Sequence, residues 1–191
     1  MLAIAEAKLK QAGNTIFRTA DAMNLPFEDD HFDLIACQFG VMFFPDKVQS
    51  YRESLRVLKP GGTFIFSAWG SLADNAFAEL AHQVTARRYP ANPPAFYMVP
   101  FHYHEYQQIE ADLVSGGFSD VQIEEVRFSN TIESPADFAR GLIFGNPVSA
   151  EIEERGGDCS EVRSELEADI SQFLNGKLEL MALVVTVTKP G

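Results

Sequence analysis

His102, His104 and Glu105 fall within four consecutive residues, and His31 sits in an acidic loop beside Asp29, Asp30 and Asp33. Imidazole and carboxylate groups act as general bases when a reacting group must lose a proton. A His-x-His spacing can also set both rings on one side of a strand, as a metal site requires. No third ligand accompanies this pair, and a polar covering segment is the plainer reading. Ser67 and Ser71 stand in no Gly-x-Ser-x-Gly elbow, so a nucleophilic triad is not expected. Cys37 closes an apolar strand and reads as packing. Trp69, Tyr97, Phe101 and Tyr103 could line an apolar pocket or belong to the core.

The elements that must position these groups alternate. Leu2 to Ala12 predicts a helix, stopped at Gly13. Thr15 to Ala20 predicts a strand, Asp21 to Asp33 a loop, and Leu34 to Cys37 a short strand buried on both faces. Pro45 and Asp46 open a helix whose face is Val48, Tyr51, Leu55 and Leu58, ended by Pro60-Gly61-Gly62. "TFIFSAW" follows as a strand. Helices are expected over Asn75 to Arg88, with Asp74 as N-cap, and over His104 to Ser115. Val121 to Phe128 predicts a strand with a bulge near Glu124-Glu125, because its apolar residues change face there. Ser134-Pro135 starts a helix, Val162 to Phe173 continues helical, Asn175-Gly176 turns the chain, and "KLELMALVVTVTK" is a final strand. This order predicts an α/β fold, a parallel sheet with helices on both faces.

The chain has 191 residues, 46% hydrophobic and 22% charged, enough for a single domain spanning 1–191. Its net charge of -12 argues against a nucleic-acid partner. Two cysteines make no disulfide scaffold, so a reducing cytoplasmic setting is expected. No apolar run is long enough to span a membrane, and the N-terminus is not a secretory signal. The segments 89–115 and 134–175 are expected to cover one side of the sheet.

The stretch "ADAMNLPFEDDHFDLIACQFGVMFFPD", followed by "LRVLKPGG", resembles the class I S-adenosylmethionine-dependent methyltransferases. The nearest branch is methyltransferase type 11, similar to the ubiquinone and menaquinone methyltransferases. The resemblance implies a three-layer Rossmann-like sheet, S-adenosylmethionine as cofactor and a small-molecule or lipid-like acceptor. It gives Asp21 the adenine amino group and turns the Ala22-Met23 backbone toward the ring edge, with Leu25 and Phe27 as apolar walls. Gln38 and Phe39 would lie beside the methionine part. Taken alone, Asp21 reads equally as a loop cap.

The family's front motif is not found. No Gly-x-Gly occurs in the chain, and Met1 matches a methionine that follows that motif and its strand. The domain is therefore expected to be N-terminally incomplete, lacking its first two strands, the glycine turn and the acid that holds the ribose. Two hydrogen bonds to a charged group weigh about 10²- to 10⁴-fold in affinity. Three outcomes are open: the Thr15–Ala20 strand closes up beside Leu34–Cys37, a second copy covers the exposed edge as a homodimer, or the chain folds poorly. A non-catalytic binding or dimerisation remnant is the alternative function. A dinucleotide oxidoreductase is not expected, since its fingerprint is missing.

Overall fold

In the computed structural model, which describes residues 2–9 and 13–191, the sheet is built from β1 (Phe32–Gln38), β2 (Leu58–Trp69), β3 (Ser119–Thr131) and β4 (Lys177–Thr188). The strand order is β1-β2-β4-β3. β1 and β2 are parallel, and β4 is antiparallel to both its neighbours. The crossover between the parallel pair is α2 (Lys47–Val57), as a parallel connection requires. Asp46 starts α2 by accepting the Gln49 N–H at 2.9 Å. The helix stops at Val57, earlier than the Pro-Gly-Gly signal suggests. Its last carbonyls, those of Arg56 and Val57, accept the N–H groups of Asp30 and His31. Lys59 to Gly62 already belong to β2, where Gly61 takes a φ of +75° that favours glycine.

Period-2 alternation assigns the two faces of the sheet. Phe64, Phe66 and Ala68 of β2 share a face with Leu183 and Val185 of β4. They pack under α2 and α4 (Tyr106–Ser115), against Tyr51, Ile109 and Leu113. Burying each such phenylalanine contributes about 1.5–3 kcal/mol. A second core joins α3 (Ala76–Arg88), α5 (Pro135–Phe144), α6 (Val148–Glu154), α7 (Cys159–Asp169) and a wider helical turn, Ile170–Leu174. It meets the opposite face of the sheet at Trp69 and Leu178. Away from that cap the same face is open, with Leu34, Val126 and Phe128 at 58%, 42% and 57% exposure.

Several expectations change. Leu2–Leu9 forms α1, which buries no residue; the rest of the expected helix, 10–12, lies outside the described residues. Thr15 to Ala20 is not a strand. It has no neighbour in the sheet, and without a ladder an extended segment gains nothing from strand geometry. It therefore does not close up beside β1. β1 is not buried on both faces, because Leu34 lies on the face that the helical cap leaves open. No bulge interrupts Glu124-Glu125. The β3 register is continuous from Gln122 to Thr131 and slips only between Ser119 and Gln122, where Asp120 has a φ of +55°. The apolar residues change face because the strand crosses two environments. Val121 and Ile123 reach the core under α4, whereas Val126 and Phe128 sit on the open face. The N-cap of α3 is Asn75, while Asp74 accepts a bond from the Ser71 hydroxyl at 2.6 Å.

Candidate functional site

Because β1 and β2 run parallel, their carboxyl ends reach the same edge, with Gln38 beside Ser67. The general rule for open α/β sheets puts a ligand there. Phe39 leaves β1 with a φ of +50°, a region that a bulky residue rarely enters. Two contacts hold it: its N–H donates to both the carbonyl and the Oγ of Ser67 at 3.1 Å. Its ring stacks on Trp69, centroids 4.2 Å apart and planes 20° apart. Next in line, Trp69 packs on Phe101 at 5.7 Å, so two of the four aromatics picked out from sequence meet here. The other two go elsewhere. Tyr97 donates to the Leu142 carbonyl at 2.7 Å inside the helical cap. Tyr103 pairs with Tyr51 at 3.1 Å and donates to Asp112 at 2.9 Å beneath the other face.

Gln38, Phe39, Ser67, Ile65, Val126 and Val184 line an open, mostly apolar depression of about 350 Å³. Cys37 also borders it. Burial pushes its thiol pKa up, so it is protonated and unsuited to nucleophilic attack. Gly40 is needed beside it, since a Cβ there would come within 2.7 Å of the Cys37 sulfur.

The Asp21 segment reaches this edge by another route. From Met23 to His31 it runs along α2, from the helix's first turn to its last. Gln49 donates to the Met23 carbonyl at 3.3 Å, and His31 donates to Val57 at 2.8 Å. Eight helical steps, about 12 Å, separate those anchors. Asp21, Ala22 and Met23 thus lie toward the start of α2, the end to which Gln38 and Phe39 lead. Asp21 is exposed. Its Oδ1 accepts the Met23 N–H at 2.9 Å and its carbonyl accepts the Asn24 N–H at 3.0 Å, closing a tight turn. The Met23 N–H is therefore committed to Asp21 and not free for a ring nitrogen, while Oδ2 is left for a second donor. Phe27 lies at the far end. It packs edge-on against Phe32, the first residue of β1, at 4.8 Å, under the Arg18 guanidinium and away from Gln38.

Of the expected bases, His31 packs near Phe32, away from the strand tips. His102 and His104 each turn Nδ1 toward a carbonyl three residues back, those of Val99 and Phe101. His104 and Glu105 border a polar recess of about 280 Å³ with Ser71, Asp74, Tyr106 and Glu125. Arg127 bridges Asp74 and Glu125 at 3.4 and 3.2 Å. The Tyr106 hydroxyl donates to Glu125, which pushes its pKa up to about 12. Sequence reasoning missed Tyr106 and weighed Ser67 only as a nucleophile, not as the acceptor that holds Phe39. A serine in an apolar strand and a tyrosine at a helix start signal nothing until their partners are known.

Residues 1–66 match the family described as "Methyltransferase domain". A demethylmenaquinone methyltransferase of Staphylococcus haemolyticus is 43% identical over 65 residues, covering 34% of this chain and 27% of that protein. A ubiquinone/menaquinone biosynthesis C-methyltransferase of Azotobacter vinelandii is 50% identical over 54 residues, 28% of this chain and 21% of that protein. The matched stretch thus spans about a quarter of those relatives' length. Among solved structures, the YcgJ protein of Bacillus subtilis aligns over 100% of this chain and 79% of its own, with a TM-score of 0.62 at 20% identity. A phosphoethanolamine N-methyltransferase 2 of Haemonchus contortus, solved with S-adenosylhomocysteine, aligns over 100% and 42%, with a TM-score of 0.56 at 16% identity. The fold is that of the Rossmann-like methyltransferases. The sequence resembles class I methyltransferases of the ubiquinone/menaquinone branch, with the detailed likeness confined to the N-terminal third.

Proposed function

We propose that this chain carries out S-adenosylmethionine-dependent methyl transfer to a small or lipid-like acceptor. One observation carries the reading: the methyltransferase-type run from Asp21 to Phe39 brings both its ends, the Asp21 turn and the Gln38–Phe39 pair, to the carboxyl edge of the parallel strands. When bound, the cofactor supplies an already electrophilic methyl group, so the protein's work is chiefly alignment. Asp21 accepts the adenine amino group through the oxygen that its own turn leaves free. Gln38 and Phe39 lie along the methionine portion. The Phe39–Trp69 stack gives the acceptor a dry, flat wall. His104 and Glu105 serve an acceptor that must first lose a proton. A second copy of the chain covers the outer edge of β1, which has no neighbouring strand among the described residues. Cys37 and Cys159 are free thiols, which suits a reducing cytoplasm.

The rival reading is a non-catalytic module for binding or dimerisation. It is favoured by the engaged Met23 N–H. Calorimetric titration with S-adenosylhomocysteine separates the two. Micromolar binding, weakened in Asp21→Ala, supports the enzyme. No heat at millimolar ligand supports the module.

A further inference from the structure

We propose that Arg56, working with Glu53, is a positioning residue that sets the Asp21 turn for its ligand; this rests on the cofactor reading above. Residues Leu25 to Asp29 have neither helix nor strand to satisfy their backbone, and unpaired backbone groups are costly. The Phe27 N–H donates to the Leu25 carbonyl at 2.8 Å and Arg18 to the Pro26 carbonyl at 3.1 Å, and two side chains one turn apart on α2 supply the other partners. Glu53 Oε2 accepts the Leu25 N–H at 2.8 Å. Arg56 donates to the Leu25 carbonyl at 2.9 Å and to the Phe27 carbonyl at 2.8 Å. It also donates to Asp29 Oδ1 at 2.8 Å and to both Glu53 oxygens at 2.9 and 2.7 Å. A guanidinium has five N–H donors in a fixed plane, and here five bonds use them. Pro26 stands between the two gripped carbonyls and contributes no N–H to be left over. The Leu-Pro-Phe sequence is in this way matched to the fork.

An exposed ion pair alone contributes little. This one is half-buried, with side chains 31% and 12% exposed, and it fixes backbone rather than another side chain. Leu25 follows Asn24, whose N–H closes the Asp21 turn, so Arg56 acts on Asp21 through two residues of chain. Lysine keeps the charge but not the planar fork, and cannot reach two carbonyls and two carboxylates together.

The test uses the full chain with Arg56→Ala and Arg56→Lys, read by amide hydrogen exchange and by titration with S-adenosylhomocysteine. In Arg56→Ala, exchange rises about tenfold or more at 24–31 and is unchanged in β4. Affinity falls about tenfold, with Arg56→Lys in between. Adding Asp21→Asn to Arg56→Ala costs less than it does alone, since both act on one contact. A general packing role would instead raise exchange throughout and lower the urea midpoint in proportion. That pattern, or unchanged exchange at Leu25, overturns the assignment. A wild-type protein that binds no S-adenosylhomocysteine overturns the cofactor reading. The exchange pattern then still decides whether Arg56 fixes the turn.

Discussion

The side-chain amide of Asn75 forms hydrogen bonds with both backbone groups of Met181. Its Oδ1 accepts the Met181 N–H at 3.0 Å and its Nδ2 donates to the Met181 carbonyl at 3.1 Å. Asn75 is fully buried and also donates to the Ser71 carbonyl at 3.0 Å. It stands where β2 has ended and continues the ladder to β4 by one step. Asn75→Ala strands the Met181 N–H and should cost about 2 kcal/mol in a urea melt. Asn75→Asp keeps the acceptor but faces two carbonyl oxygens with a carboxylate. It should fall as far or further, and a neutral outcome for Asp would show that the amide donor is idle.

Trp69 is the chain's single tryptophan, which makes the site self-reporting. Phe39→Ala removes the stacked ring and should shift Trp69 emission to the red, at a stability cost of about 1–2 kcal/mol. S-adenosylhomocysteine should perturb the emission in the wild type and not in the variant. If the ligand binds by calorimetry while emission stays constant, it sits away from Phe39.

Acid should loosen the Asp21 segment through Glu53. Its bond from Arg56, and next that from the Leu25 N–H, hold the Glu53 carboxyl below its ordinary 4.5 against the opposing effect of burial. A folded pKa below the unfolded one means that the stabilisation is fully present above 4.5 and is lost as pH falls through the folded value. The wild-type urea midpoint should drop as pH falls below 4.5, and Glu53→Gln should show a shallower drop there. Parallel curves would place the acid sensitivity elsewhere, for instance at Asp74, which is held low chiefly by Ser71.

A second copy over the β1 edge should give a light-scattering mass near twice the 21.2 kDa of one chain. Leu34 is exposed beside that edge, so Leu34→Lys should leave the protomer folded and return it to the monomer mass. A wild type that is already monomeric at micromolar concentration removes the second copy from the picture.

What could be read from the sequence was local. Asp46 capping α2, Ser134-Pro135 opening α5 and the Asn175-Gly176 turn each depend on a few neighbouring residues, and each is found where expected. What failed was set by distant partners. Thr15 to Ala20 has strand composition but no neighbouring strand. The register of β3 is dictated by β4, whose paired residues lie 46 to 69 positions later, so its change of face could not be told from a bulge. Phe27, an apolar wall by likeness, packs its ring on Phe32 at the start of β1, a contact that only the folded chain reveals. Asn75 reads as an ordinary helix-start residue; its real partner lies 106 positions away.

The strand made last of the four, β4, lies between β2 and β3. A nascent chain leaving the ribosome can therefore form α2 and pair β1 with β2, but β3 has nothing to join until Lys177 to Thr188 emerge. Until then β2 and β3 each present a sticky margin, and a chain released early would be a substrate for chaperones and proteases. The final dozen strand residues act as the keystone, and their loss should be felt by the whole sheet at once.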